Sequence, residues 1–203
     1  RMNMKANAMV ALISLSDANF NFLKDIDVAI SRIDELKILN IVYQKKMKFF
    51  VDLDNWLKNK NDSLVILTLK LIVRYQYGIN ERQIKYLLEN PNHKIRKESI
   101  IAIRELKISK ANNILIKHFE KETHIRNKIS IAKTLQINGN KKIIPFVSKW
   151  LMEEENVEFK FEIVKCIYII DNNHFNNVMF EGDCLENLMI QKMVLHHKNP
   201  YLN

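Results

Sequence analysis

Glycine, proline and cysteine are scarce in this chain of 203 residues, which holds three, three and two of them. So few turn-forming residues cannot supply the many hairpins of an all-β fold. An apolar content of 47% beside 27% charged residues is typical of an ordinary soluble protein and argues against disorder. No apolar run approaches the roughly 20 residues that span a bilayer, and no signal peptide is present. These absences favour a helical protein.

The residues that usually carry chemistry do not form a recognisable motif. Cys166 and Cys184 have neither metal-ligand spacing nor a disulfide framework, so a reducing, cytoplasmic compartment is the default. Gly78, Gly139 and Gly182 stand alone, so no glycine-rich phosphate loop is present. A nucleophile elbow and a Cys–His signature are also missing. The sequence therefore predicts no cofactor and no enzymatic activity.

The six histidines do not suggest a metal site. None belongs to an H-E-x-x-H pair, and His196 and His197 are neighbours that point to different sides of a helix. His93 and His124 both stand just before a helical apolar stripe. We interpret this pair as helix-start residues and predict no bound metal.

The strongest positive signal is a repeat of about thirty residues. Each copy has an apolar stripe at offsets 0, 4, 7, 8 and 11 from an anchor residue, which is one face of an α-helix. Lys133 is the single residue at offset 8 that is not apolar. The anchors are Met4, Glu35, Leu64, Ile95, Ile125 and Phe159. Six recurrences at a nearly constant period predict an array of helix pairs.

The stripes place the second helix of each pair. These helices are predicted near residues 2–15, 33–46, 62–77, 93–107, 124–137 and 157–170. The first helices are predicted at Asn19–Ile30, Lys48–Lys58, Asn80–Glu89, Ala111–Lys121 and Lys141–Glu153, and a terminal helix at 184–196. Asn80 and Asn140 stand where N-caps are needed, and Gly78 and Gly139 suit left-handed helix ends.

Pro91, the pair Ile95-Arg96, Ser99, Ala102 and Ile103 follow the HEAT consensus closely. The chain therefore resembles a HEAT-type α-solenoid. The resemblance implies an all-α, right-handed superhelix of about six helix pairs, with atypical first and last repeats, in one domain covering residues 1–203. It also implies that a cation one residue after the anchor, such as Arg96, bridges neighbouring repeats. HEAT arrays serve many unrelated tasks, so the resemblance leaves function open.

The net charge of +9 is spread unevenly. Residues 81–150 hold 16 Lys and Arg against 6 Asp and Glu, whereas residues 151–203 hold 4 against 9. The basic middle can be a solvated surface, or can face nucleic acid, an acidic protein or an anionic membrane. For nucleic acid, the candidate phosphate contacts are Lys97, Arg104, Arg126, Lys128 and Lys133. A remote variant of this hypothesis is a role like that of HEAT-like DNA alkylation glycosylases, with Asp54 beside Trp56.

The leading hypothesis is a non-enzymatic protein-interaction scaffold that uses the concave face of the array. Offsets 2, 5, 6 and 9 from each anchor point away from the apolar stripe, and many of these positions are apolar or aromatic. Such a groove suits a helix or an extended peptide of a partner protein. The candidate partner-binding residues are Ile66, Val73, Lys97, Arg104, Asn127, Thr134, Phe161 and Tyr168.

The first helix of the chain is expected to expose its inner stripe, which consists of Met4, Ala8, Ala11, Leu12 and Leu15. A bare stripe of this size is an aggregation risk. We therefore expect a covering helix before Arg1, either a plain cap or a segment leading from a membrane anchor that tethers a cytoplasmic domain. The alternative is that the helix at Asn19–Ile30 folds back over the stripe.

Overall fold

The computed structural model describes residues 2–15, 29–45 and 53–175, together with Lys192 and His196. Within these ranges every regular element is a helix and no strand occurs, so the predicted all-α class is confirmed. None of the helices in the described part is long and apolar enough to cross a membrane. The predicted terminal helix at 184–196, apart from two positions, and most of Asn19–Ile30 lie outside the described residues.

Longer and shorter helices alternate through most of the described chain. In chain order they are α1 (Met2–Leu15), α2 (Arg32–Gln44), α3 (Leu53–Leu57), α4 (Asp62–Tyr75), α5 (Glu81–Leu88), α6 (His93–Glu105), α7 (Asn112–Phe119), α8 (Ile125–Asn138), α9 (Ile144–Glu153) and α10 (Val157–Ile170). Single 3-10 turns at Ser109–Ala111 and Lys141–Ile143 precede α7 and α9. The bounds of α1, α2, α4, α6, α8 and α10 lie within two residues of the ranges predicted for second helices.

The chain divides into two compact units, Arg1–Ala102 and Ile103–Asn203. In the first unit, α2, α3 and α4 bury Ile38, Val42, Trp56, Leu64, Leu67 and Leu71 in one apolar cluster. In the second unit, α8 packs against α10, and α10 packs against α9. The ring of Phe119 stacks on Trp150 with centroids 3.7 Å apart and on Phe159 at 5.4 Å. These aromatic contacts join α7, α9 and α10.

Asparagine side chains begin two of the shorter helical segments, as the sequence predicts. The side-chain oxygen of Asn80 accepts from the backbone N–H of Gln83 at 2.9 Å, and the Gln83 side chain accepts from the N–H of Asn80 at 2.8 Å. This reciprocal pair is a capping box. The Asn140 side chain accepts from the N–H of Lys142 at 3.0 Å.

The left-handed helix ends are not at the predicted glycines. Gln76 and Lys107, each twelve residues past its anchor, have positive φ values of 55° and 52°, whereas Gly139 has φ −73° and ψ 166°. At both ends the N–H of the residue after the left-handed one donates back across five residues, from Tyr77 to the carbonyl of Ile72 at 3.0 Å and from Ile108 to that of Ile103 at 3.0 Å. This is the Schellman pattern. The left-handed residue after α4 is therefore Gln76, two residues before the predicted Gly78.

The Lys107→Gly variant is expected to raise the free energy of unfolding by about 0.5–1 kcal/mol. Glycine removes the steric cost of a Cβ in the left-handed region. This gain is larger than the loss of stability that results from the greater backbone entropy of glycine in the unfolded chain. The Lys107 side chain is exposed, so little packing is lost. The exposed Lys149 in the middle of α9 provides the control, because glycine in a helix interior costs about 1 kcal/mol. Urea denaturation of both variants checks the opposite signs.

The predicted stripe of α1 is exposed. Met4, Leu12 and Leu15 expose 72%, 55% and 80% of their surface, and Ala8 and Ala11 are also exposed. The helix packs against α2, with Val10 partly buried against the first-unit core. The expectation of a bare apolar surface is thus confirmed for these five residues, while what covers it stays a prediction.

Cys166 lies on the buried stripe of α10 and is fully buried. Burial, together with the nearby Glu162 carboxylate, raises the pKa of its thiol to about 12. Because the thiolate is the reactive form, we expect no alkylation of Cys166 by iodoacetamide at pH 8 in the folded protein and rapid alkylation in urea. A Cys184→Ser background leaves one thiol to titrate. Rapid modification without denaturant would contradict the prediction.

Candidate interaction face

Side chains in front of four long helices mark a regular repeat. Asn61, Asn92 and Asn156 each accept a hydrogen bond at 2.9–3.0 Å from a backbone N–H in the first turn of α4, α6 and α10. His124 stands at the same place before α8, without a side-chain cap bond. The four positions follow one another at intervals of 31, 32 and 32 residues. The caps therefore define the repeat register independently of the apolar pattern.

This register corrects the anchor of α8. Three residues after the caps come Leu64, Ile95 and Phe159, as predicted, but Asn127 replaces Ile125. Moving the anchor by two residues rotates the face that is assigned to the core by about 200° around the helix axis. Accordingly Asn127 and Thr134, predicted to face a partner, both have 0% exposure. Lys133, the apparent lapse in the apolar stripe, is on the outward side with 40% of its side chain exposed.

Asn127 and Thr134 are buried because the inward stripe of α8 is partly polar and hydrogen-bonded. The Asn127 amide donates to the Glu122 carboxylate at 3.0 Å, and the Thr134 hydroxyl donates to the carbonyl of Ser130 at 2.8 Å. One turn further on, the Asn138 amide donates to the carbonyl of Ile103 at 3.1 Å. Buried polar groups are tolerated when they are paired in this way. Asn127 and Thr134 are thus unavailable to a partner.

The same register changes the interpretation of the two histidines that precede apolar stripes. His124 is the residue in front of α8 and corresponds to Asn92, whereas His93 is the first residue of α6. The two histidines are therefore one position apart in the repeat.

The other six predicted residues remain at the surface. Ile66, Val73 and Lys97 of the first unit are half-buried, as are Arg104, Phe161 and Tyr168 of the second. The Tyr168 ring meets Phe175 edge-on at 5.0 Å. Offset 5, also expected to face outward, is instead buried at Leu69, Ile100 and Val164. It lies only about 140° from the anchor direction, so flanking helices can cover it.

The seam between α8 and α10 brings Lys133 together with residues that the sequence did not single out. Lys133 lies 3.3 Å from a carboxylate oxygen of Glu162, and the Gln136 amide donates to the other oxygen at 2.7 Å. On the same two helices, Ile137 and Ile169 occupy equivalent positions, ten residues past Asn127 and Phe159, and expose 57% and 41% of their surface. We name the outward residues of this seam the α8–α10 face: Lys133, Ile137, Phe161, Lys165, Tyr168 and Ile169. In the sequence, the regular spacing of the cap positions was the signal that could have identified the outward face of α8.

In the first unit the corresponding surface is ionic. Lys70 of α4 forms an ion pair with Glu35 of α2, whose side chain is mostly buried. Glu98 of α6 is close to both. Burial raises the pKa of the Glu98 carboxyl, with Lys70 acting in the opposite direction and Glu35 in the same one. Three helices thus contribute charge to one cluster, so this surface suits an apolar partner less well.

Three of the five candidate phosphate contacts are already paired with carboxylates. Lys128 pairs with Glu154, Lys133 with Glu162 and Arg104 with Glu105 at 3.1 Å. Arg126 is exposed and Lys97 is half-buried. The net charge of the basic middle is therefore partly neutralised, in two cases by acids from outside residues 81–150.

Arg96 stabilises the turn that precedes α6. Its guanidinium donates to the carbonyls of Asn90 at 2.9 Å and Pro91 at 3.0 Å, immediately before α6. Guanidinium groups suit such paired contacts because their donors form a rigid fork. The arginine after the anchor thus stabilises the turn on which the helix pair depends.

The residues behind the glycosylase hypothesis have structural roles. Trp56 and Trp150 are buried in the apolar cores. The exposed Asp54 carboxylate accepts from the Gln83 amide at 2.6 Å. Across the part of the chain that the structure describes, no group of three or more His, Cys, Asp and Glu is arranged to hold a metal ion.

Comparison of the chain with protein-family models, with curated proteins and with solved structures gives no match. The function is therefore inferred from the chain's own residues.

Proposed function

We propose that the chain is a segment of a HEAT-like α-solenoid, wound as a right-handed superhelix. Four features support this proposal. Long and short helices alternate from α2 onward, and the long helices begin every 30 to 32 residues. Asparagine side chains cap α4, α6 and α10 at the same position, and Arg96 stabilises the turn before α6. Stacked pairs of helices bury a continuous core in such arrays.

The proposed function is non-enzymatic protein binding through the α8–α10 face. The observation that carries this proposal is the exposure of Ile137 and Ile169 at equivalent positions of adjacent helices. The aromatic side chains of Phe161 and Tyr168 are half-buried on the same side of α10 as Lys165. Aromatic and aliphatic anchors with a polar rim are typical of protein-binding surfaces.

The partner is proposed to be a helix or an extended peptide with apolar side chains. The apolar positions run along two packed helices, which suits an elongated ligand better than a compact one. The half-buried Lys165 places an ammonium group at the rim, where a carboxylate of the partner can meet it. A cytoplasmic location accompanies this proposal, because Cys166 is a buried free cysteine and free cysteines are typical of reducing compartments.

An affinity capture from lysate of the source cells tests the face with the double variant Ile137→Glu/Ile169→Glu. Both residues are exposed, so the fold should survive, and circular dichroism melting verifies this. Met152→Glu is the matched control, because Met152 on α9 is 82% exposed and lies outside the face. We expect at least tenfold less of the captured protein with the double variant, on the order of a lost binding anchor, and unchanged recovery with the control. Equal recovery of every protein by all three forms would remove this face from consideration.

Phe161→Ala/Tyr168→Ala extends the same test to the aromatic anchors. Truncation of a binding anchor commonly costs about 2 kcal/mol or more, a loss of about thirtyfold in affinity. Tyr168 also contacts Phe175, so the variant's melting temperature must be compared before its binding is interpreted. A well-folded variant that retains full affinity would limit the interface to the isoleucines.

The nucleic-acid hypothesis has less support, because Arg104, Lys128 and Lys133 already have carboxylate partners. Fluorescence anisotropy with labelled DNA and RNA, single-stranded and duplex, at about 50 and 200 mM salt distinguishes the two proposals. Phosphate binding through several cations should weaken by orders of magnitude over that range. A steep loss of affinity with salt, sensitive to Lys97→Gln and Arg126→Gln, would favour nucleic acid.

A further inference from the structure

The first unit has a groove of about 530 Å³ on its surface, between α3 and α5, that the proposed protein-binding role does not use. Its lining comes from α3 and the residue after it, and from α5 and its N-cap: Asp54, Leu57, Lys58, Asn80, Glu81, Arg82, Gln83 and Tyr86. The volume lies within the usual range for small-molecule sites. Leu57 is buried and supplies an apolar side chain, whereas most of the other side chains are exposed.

The acids of the groove have partners within the protein. The Asp54 carboxylate accepts from the Gln83 amide at 2.6 Å. The Glu81 carboxylate lies 2.7 Å from the Lys85 ammonium on the next turn, and the hydrogen bond from Lys85 lowers the pKa of Glu81. The Glu81 charge is therefore paired with that of Lys85. The Gln83 amide is neutral and leaves the Asp54 charge in place, so with Lys58 and Arg82 the groove keeps a net positive charge.

The cations of the groove differ from its acids in this respect. Among the residues that the structure describes, neither Lys58 nor Arg82 forms an ion pair with a carboxylate, and both are exposed. Cations bordering a concave surface favour an anion there, because low-dielectric walls strengthen their field. A guanidinium fork adds the geometry that carboxylate and phosphate groups prefer.

An aromatic ring lies on the same side of α5 as the guanidinium group. Tyr86 follows Arg82 by four residues, which places both side chains on one helix face. Tyr86 is 44% exposed, so its ring is accessible to a ligand. The combination of Leu57, the Tyr86 ring and two cations offers a flat apolar contact next to positive charge.

We infer that this groove binds a small aromatic anion, in which a planar ring contacts Tyr86 and Leu57 while a phosphate or carboxylate group is held by Arg82 and Lys58. Neither acid in the groove needs to change its own partner for this ligand to enter. A cationic ligand would leave Arg82 and Lys58 unneutralised beside it. The site is in the first unit, and its residues are not those of the α8–α10 face.

The test is titration of the full 203-residue chain, labelled with ¹⁵N, with phenyl phosphate and with benzoate. We expect saturable shifts of amide resonances in α3 and α5 with at least one of the two, and about tenfold weaker affinity in Arg82→Gln and in Lys58→Gln, the loss of one charge-assisted contact. The tighter of the two probes identifies the anion as phosphate or carboxylate. Inorganic phosphate, which lacks the ring, should bind at least tenfold more weakly than phenyl phosphate.

Lys94→Gln is the matched control, because Lys94 on α6 is exposed in the same unit but does not line the groove. Its affinity for the probes should equal that of the unmodified chain. Absence of saturable shifts, an affinity that Arg82→Gln does not change, or equal binding of benzylamine would each overturn the inference. All substituted side chains are exposed, so loss of folding does not obscure the outcome.

Discussion

The Gly139→Ala variant is expected to lose about 3 kcal/mol of stability, the upper end of the usual cost of overpacking. A Cβ at this position would lie 2.3 Å from the carbonyl oxygen of Leu135, 2.7 Å from Cδ1 of Ile143 and 2.8 Å from Cδ1 of Ile170. The isoleucine side chains can shift, but the carbonyl cannot move freely. It accepts the hydrogen bond from the Gly139 N–H, at 2.8 Å, that ends α8. Thermal and urea denaturation measure the loss.

Gly78→Ala provides the control within the same protein. A Cβ at Gly78 would have no atom within 4 Å, and its φ is not positive. Alanine there is expected to be neutral or to stabilise by a few tenths of a kcal/mol, because it restricts the unfolded chain. If the two variants melt at the same temperature, close packing is not the reason for glycine at position 139.

This comparison explains why the two glycines misled the prediction of helix ends. Glycine after a helix suggests the left-handed conformation, but at Gly139 the backbone is extended, and the demand for glycine comes from close packing of Ile143 and Ile170. The left-handed positions belong to Gln76 and Lys107. In a sequence, a glycine required for a left-handed conformation looks the same as a glycine required for close packing. Only the structure distinguishes the two.

The bounds of the long helices were predictable because apolar side chains recur with the helical period and polar caps precede them. The face that α8 presents was not, because its inward stripe contains Asn127, Thr134 and Asn138. The apolar pattern alone favours Ile125 as the anchor, although the caps at Asn92, His124 and Asn156 define a register that places it at Asn127. Local capping is a better guide to register where a core position is polar.

The partners of the charged residues could not be predicted from the sequence. Lys133 is 29 residues from Glu162 in the chain, and Lys70 is 35 residues from Glu35, yet both pairs join neighbouring helices. Charge counted along the chain therefore overstated the field of residues 81–150. Within the α8–α10 face, Phe161 and Tyr168 were predicted, but Ile137 and Ile169 were not, because only the packing separates exposed apolar residues such as Ile137 from buried ones.

Glu122 is the buried carboxylate on which the turn between α7 and α8 depends. One oxygen accepts from the N–H of His124 at 2.9 Å, while the other accepts from the Asn127 amide at 3.0 Å and lies 3.2 Å from Nε2 of His118. Its side chain is completely inaccessible to solvent, and that of His118 is nearly so. The carboxylate thus satisfies three neighbours that water does not reach.

Glu122→Ala is expected to cost about 4 kcal/mol, because it leaves these polar neighbours buried without their shared acceptor. Glu122→Gln keeps the shape and one acceptor oxygen, so a smaller loss of about 2 kcal/mol is expected. Glu120→Ala, at an exposed position just after α7, should stay within about 0.5 kcal/mol of the unmodified chain. Urea denaturation followed by circular dichroism gives the three values. A Glu122→Ala loss no larger than that of Glu120→Ala would mean that the turn is held by its apolar contacts instead, and the polar stripe of α8 would then need another explanation.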